Sequence, residues 1–252
     1  MFNISPIPAF KDNYIWLLTC GQRAAVVDPG DPVPVIAQLE AAGMILDSIL
    51  ITHHHADHQG GVAALVERWN PAVYAPGSES ITGCTRPLSG GETIQVLGQT
   101  ISVMAVPGHT LGHLAYYVPG ALFCGDTLFG AGCGRLFEGT PAQMAESLGK
   151  IAALPDETRI FCAHEYTELN LRFALAVEPD NEQIQARILR TAGLRAEGKA
   201  SVPSLLSEEK ATNPFLRCHV KAVAEAALRQ SGELILSETD VFAAIRAWRN
   251  NF

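Results

Sequence analysis

The sequence predicts an α+β protein: two β-sheets packed as a sandwich with helices outside, followed by a small all-helical domain. Three observations carry that reading. Short β-branched and aromatic runs alternate with loops and helices over the first two-thirds of the chain. Residues 92–125 then hold strand after strand with too little chain between them for the crossovers that parallel pairing requires. From about residue 165 the β-like runs give way to helical periodicity, which divides the chain into 1–164 and 165–252. A doubly wound sheet is the alternative, and the crowded 92–125 block argues against it.

Taken in order, "NYIWLLTC" (13–20), "AAVVDPG" (24–30) and "SILIT" (48–52) are apolar, bounded by Gly, Pro or Asp, and read as strands. Between the last two, "DPVPVIAQLEAAG" (31–43) opens with Asp31 before Pro32 and closes on Gly43, the pattern of a capped helix. "GVAALVERW" (61–69) reads as another helix and "AVYAP" (72–76) as the strand after it. "TIQVLG", "TISVMAVPG", "LAYYVPG" and "ALFCGD" follow as strands separated by Gly or Pro turns. Beyond "RIFCAHEY" (159–166), the segments 165–179, 181–198, 220–232 and 237–252 are helical. The last opens with Ser237 and Asp240, a weak form of the capping box. There is no internal repeat.

At 252 residues and 48% hydrophobic content the chain can bury a substantial core. A formal charge of -8 argues against a general nucleic-acid or anionic-membrane surface, since both need a basic footprint. The N-terminus has no basic region ahead of its apolar residues, Pro6, Pro8, Lys11 and Asp12 interrupt any apolar run, and no stretch reaches the ~18 to 20 residues that span a bilayer. A cytoplasmic monomer is the expectation. The six cysteines, Cys20, Cys84, Cys124, Cys133, Cys162 and Cys218, form no C-x-x-C pair and read as free, mostly buried thiols.

The chemistry is concentrated in "THHHADH" (52–58), which holds four of the chain's eight histidines and an aspartate. Imidazole and carboxylate are the usual ligands of zinc and related divalent ions. A polar surface loop is the bland reading, and the density of ligand-type residues after an apolar strand speaks against it. His53 and His55 can reach one ion, and Asp57 and His58 a second beside it. His109 in "VPGHTLGH", Asp126 in "LFCGDTLF" and His164 in "RIFCAHEY" each follow a strand and can point to the same sheet edge. His54 alternates with these residues and should face away, His113 reads as a supporting residue, and His219 as incidental.

The order "THHHADH", "GHTLGH", "GDTLF" and "AHEY" resembles the metallo-β-lactamase superfamily, and "AGCGRLFEGT" with the helical tail ending in "IRAWRNNF" resembles glyoxalase II, the hydroxyacylglutathione hydrolases. The resemblance implies an αββα sandwich followed by a helical substrate-binding domain. It further implies two divalent ions, zinc foremost with iron or manganese as alternatives: His53, His55 and His109 hold one, Asp57, His58 and His164 the other, and Asp126 bridges them. Two such ions about 3.5 to 4 Å apart lower the pKa of a shared water from 15.7 toward about 7 and supply hydroxide at neutral pH. The implied reaction is hydrolysis of S-D-lactoylglutathione to glutathione and D-lactate in methylglyoxal detoxification. Glutathione needs basic donors, and the resemblance gives Arg135, Phe137, Tyr166, Arg246 and Arg249 as its contacts. Arg135 and Arg249 stand where eukaryotic members carry lysines, and Phe137 stands in place of a hydrogen-bonding tyrosine.

Other readings have specific obstacles. No G-x-S-x-G elbow exists for a serine hydrolase. Cys124 and Cys162 each lie two residues before a proposed ligand, on the same side of a strand but deeper. Within the superfamily, a lactonase, a β-lactamase or a persulfide dioxygenase is the alternative, and the second-site residues Asp57, His58 and His164 argue against a single-iron oxygenase. A non-catalytic metal or glutathione sensor would need the shell closed.

Overall fold

The computed structural model describes residues 2–232 and 234–252. They form two compact units, Met1–Ala105 with Gly112–Gly125, and Val106–Leu111 with Asp126–Phe252.

The first unit is built on a sheet of β1 (Asn3–Ala9), β2 (Asn13–Cys20), β3 (Arg23–Val27), β4 (Ile45–Leu50), β5 (Ala72–Pro76) and β6 (Arg86–Leu88), in sequential order. β1 to β3 pair antiparallel and β3 to β6 parallel. The parallel steps are made by crossovers: α1 (Pro32–Ala41) joins β3 to β4, and α2 (Ala56–Gln59) with α3 (Val62–Trp69) joins β4 to β5. As the sequence predicts, Asp31 caps α1 by accepting the Val33 N–H at 2.9 Å, with Pro32 in the first turn. Val35 and Leu39 of α1 and Val62 and Leu65 of α3 pack against Ile15, Val26, Ile49 and Val73. β1 is not among the strands read from the sequence, and it contains Pro6 and Pro8. It is an edge strand, where two prolines spaced by two can turn their missing N–H toward the open side.

β7 (Thr93–Val96), β8 (Gln99–Ala105), β9 (Leu114–Val118) and β10 (Ala121–Gly125) form an antiparallel meander, the crossover-free block that the sequence requires. β2 buries both alternating sets of side chains, Ile15 and Leu17 as well as Trp16 and Leu18, as a sandwiched sheet must. Tyr116 of β9 donates its hydroxyl to the Ile51 carbonyl at 2.7 Å, and burial holds that phenol well above its ordinary pKa.

The second unit carries the hairpin β11 (Leu128–Phe129) and β12 (Gly132–Cys133), then α4 (Pro141–Ala152) and β13 (Arg159–Cys162), which pairs with β14 (Ser204–Leu205). The helices are α5 (Thr167–Val177), α6 (Glu182–Ala196), α7 (Leu206–Thr212), α8 (Lys221–Ser231) and α9 (Glu238–Asn250). α5, α6, α8 and α9 are the four that the periodicity predicts. α4 and α7 are additions. α4 has a readable signal, the capping box in which Thr140 accepts the Gln143 N–H and Gln143 the Thr140 N–H. At α9, Ser237 accepts the Asp240 N–H, while Asp240 Oδ2 takes the Leu236 N–H and the Ser237 hydroxyl, one residue further back than a standard box.

Candidate metal centre

In the first unit the chain leaves β4 through Ile51 and Thr52 and delivers His53 into a buried position. Asp28, in the left-handed region at φ 52° just past β3, fixes this exit. Its carboxylate accepts the Thr52 N–H and the Thr52 hydroxyl, both at 2.8 Å, and the His58 Nδ1–H at 3.0 Å. The Thr52 oxygen then lies 3.0 Å from His53 Nδ1 and accepts its proton. These bonds set the tautomers: His53 and His58 both present Nε2 as a lone pair, the arrangement in which a carboxylate orients a ligating histidine.

His55 is the N-cap of the one-turn helix α2, which carries Asp57 and His58. His53 Nε2 lies 2.9 Å from His55 Nδ1, near the ~3.3 Å separating two nitrogens on one tetrahedral zinc. Ligand atoms of Asp57 and His58 are likewise within 4.8 Å of each other. Asn13 donates to Asp57 Oδ2 at 2.9 Å. Gly30 permits the approach of the 28–30 turn, since a Cβ there would lie 1.8 Å from the Asp57 carbonyl oxygen.

His54 turns to Glu79, with Nδ1 3.1 Å from Oε2, and Glu79 also accepts the Gly112 N–H at 3.0 Å. His113 is buried and stacks on His53 at 4.6 Å between centroids, a supporting position.

In the second unit, Asp126 Oδ2 lies 3.4 Å from His109 Nε2 and its Oδ1 3.4 Å from His164 Nε2. Each carboxylate oxygen thus serves a different histidine, as a bridging ligand would. His109 donates Nδ1–H to the Arg135 carbonyl at 2.7 Å, which leaves Nε2 as its lone pair. Tyr166 stacks on His164 at 4.8 Å, with planes 4° apart, and Phe137 meets the His109 ring edge-on at 5.2 Å. The Arg135 guanidinium lies over Phe137. Phe137 is 60% exposed.

The two arginines of α9 have internal partners. Arg246 is only 7% exposed; it donates to the Cys133 carbonyl at 2.9 Å and to Asn250 at 3.1 Å, over the Phe215 ring. Arg249 donates to Asn170 Oδ1 at 3.3 Å, and burial, then the charge of Arg246, hold its guanidinium below the usual value.

None of the six cysteines is joined in a disulfide. Cys162 donates to the His164 carbonyl at 3.5 Å, and burial pushes its thiol up to about 12, so it is no thiolate at neutral pH. The donors are therefore imidazole nitrogens and carboxylate oxygens, two of them set on carboxylate or carbonyl partners, which fits divalent ions of the zinc class. Asp28, Asn13 and Glu79 escape a reading of the sequence alone.

The family model described as "Metallo-beta-lactamase superfamily" matches residues 10–164, and the one described as "Hydroxyacylglutathione hydrolase C-terminus" matches 165–252. A hydroxyacylglutathione hydrolase of Dechloromonas aromatica (strain RCB) is 68% identical, with 100% of each chain covered. Among solved structures, ETHE1 from Myxococcus xanthus shares the fold at TM-score 0.67 and 22% identity, covering 99% of this chain and 98% of that one. TTHA1623 in a di-iron-bound form superposes at TM-score 0.60 with 27% identity, over 85% of this chain and 100% of its own. The resemblance read from the motifs is thereby borne out: the chain belongs to the hydroxyacylglutathione hydrolase family of the metallo-beta-lactamase superfamily.

Proposed function

We propose that this chain is a binuclear-metal thioesterase that hydrolyses S-(2-hydroxyacyl)glutathione, typically S-D-lactoylglutathione, to glutathione and a 2-hydroxy acid such as D-lactate. The observation that carries it is the 68% identity, end to end, to a relative named for that reaction. His53, His55 and His109 would hold one ion and Asp57, His58 and His164 the other, with Asp126 offering an oxygen to each. Zinc suits the nitrogen and carboxylate donors, and iron or manganese would also be accepted. Two such ions supply Lewis acidity: a water acidified toward neutrality and a polarised thioester carbonyl.

The chain's own residues keep that site ready. Asp28 and the Arg135 carbonyl hold the Nδ1 protons of His58 and His109, so their Nε2 atoms need not reorient. Residues 1–164 carry this chemistry and 165–252 the glutathione contacts, which with Arg135 and Phe137 include Tyr166, Arg246 and Arg249. Six cysteines outside any disulfide suit a reducing compartment, and we place the protein in the cytoplasm as a monomer.

The test is hydrolysis of S-D-lactoylglutathione by zinc-loaded protein beside an Asp126→Ala control. Loss of more than ~100-fold in the control is expected. No activity above the control, or one tightly held iron with oxygen uptake dependent on glutathione persulfide, overturns the reading.

A further inference from the structure

The β11–β12 hairpin separates Asp126 from Arg135. Its register pairs Leu128 with Cys133 and Phe129 with Gly132, and the Gly134 N–H donates to the Thr127 carbonyl at 3.2 Å. The entering and leaving chain segments touch: a Cβ on Gly134 would lie 1.9 Å from the Asp126 carbonyl oxygen. The hairpin therefore fixes Asp126 through its entry strand. It also fixes His109, because the Arg135 carbonyl at its exit takes the His109 Nδ1–H.

The hairpin is in turn held by side chains from distant helices. Asn170 donates to the Gly130 carbonyl at 3.0 Å, Asn213 to the Gly132 carbonyl at 2.9 Å, and Arg246 to the Cys133 carbonyl at 2.9 Å. At the tip, Ala131 adopts φ 54° and donates its N–H to Glu209 Oε2 at 2.8 Å. Glu209 is fully buried and paired through its other oxygen with Arg187, which is 2% exposed and also donates to Thr212 at 2.6 Å. A buried ion pair that only joined helices could be replaced by apolar side chains at little loss of stability. Glu209 differs because it accepts from the turn that aims two proposed ligands.

We propose that Glu209 is a positioning residue of the metal centre, acting on Asp126 and His109 through the β11–β12 hairpin, with Arg187 holding its carboxylate in place. This rests on the ligand assignment made above. Two variants separate positioning from plain stability. Glu209→Gln keeps an oxygen for the Ala131 N–H but removes the buried charge opposite Arg187, whose remaining carboxylate partner is Glu208 at 3.3 Å. The double variant Arg187→Met with Glu209→Leu removes both charges and with them the acceptor.

Melting temperature, zinc affinity by titration, and hydrogen exchange across 127–134 are measured on the full chain. Glu209→Gln should melt earlier yet bind zinc within about 3-fold of the unaltered protein, since only losses of outer-shell contacts reach ~10- to 100-fold. The double variant should lose about 10-fold or more in zinc affinity and lose protection at the hairpin tip, with a melting temperature no lower than that of Glu209→Gln. Zinc affinity that tracks melting temperature across both variants overturns the proposal, and Glu209→Gln alone decides it if the double variant does not fold. Thioester hydrolysis is scored separately: an unaltered protein that binds two zinc ions and leaves S-D-lactoylglutathione intact defeats the substrate reading without touching this one.

Discussion

His54 sits among four ligand-type neighbours yet turns to Glu79, so its substitution separates composition from geometry. His54→Ala should keep two ions per chain, while His55→Ala and His58→Ala should lower the count, read by metal analysis of protein purified without chelators. Equal losses in all three would defeat the alternation argument. Asp28→Asn should weaken zinc binding by about 10- to 100-fold, because it disturbs both the Thr52–His53 relay and His58 Nδ1. At Phe137, exposed beside His109, a tyrosine would add a hydroxyl able to donate to the proposed glutathione substrate. Phe137→Tyr should lower KM by ~2- to 10-fold, from a net hydrogen bond of about 0.5–1.5 kcal/mol, with kcat little changed. The ligand-type residues were legible because they are chemically distinctive and crowded. Asp28 was not, because an aspartate after a strand becomes a partner of Thr52 only once Asp28 and Leu50 are joined across β3 and β4, 2.9 Å from nitrogen to oxygen.

Among the elements, those whose local chemistry agrees with their environment were readable: Asp31 with Pro32 opens α1, and the meander of β7 to β10 follows from its short connections. The strand at Asn3–Ala9 was hidden because proline tolerance depends on being at an edge, which only the assembled sheet defines. α7 was hidden for a different reason. Its seven residues include Glu209 and Thr212, whose polarity suggests surface although both are buried on Arg187. α4 could have been found from Thr140 and Gln143, and Thr140→Ala should cost about 1 kcal/mol of stability in chemical denaturation, with no change in metal content.

For the whole molecule, the buried thiols link stability to alkali. Burial raises Cys133, Cys162 and Cys218, the last two to about 12. Between the ordinary thiol value of 9.0 and about 12, the folded chain keeps protons that the unfolded chain releases. The unfolded state then binds fewer protons, so stability is full below that window and falls as pH rises through it. Melting temperature should drop over that range, and Cys162→Ala should flatten the slope; an unchanged slope would show that this thiol does not carry the linkage.

The hairpin between Asp126 and Arg135 also imposes an order in time. Its partners lie from 40 residues downstream, at Asn170, to 113 downstream, at Arg246. A ribosome that has just released Asp126 has made every residue of THHHADH but none of the side chains that brace Ala131 or the Cys133 carbonyl. The growing chain can gather its first histidines early, whereas the braced setting of Asp126 and His109 awaits Arg246 of α9, 113 residues beyond the Cys133 carbonyl it holds.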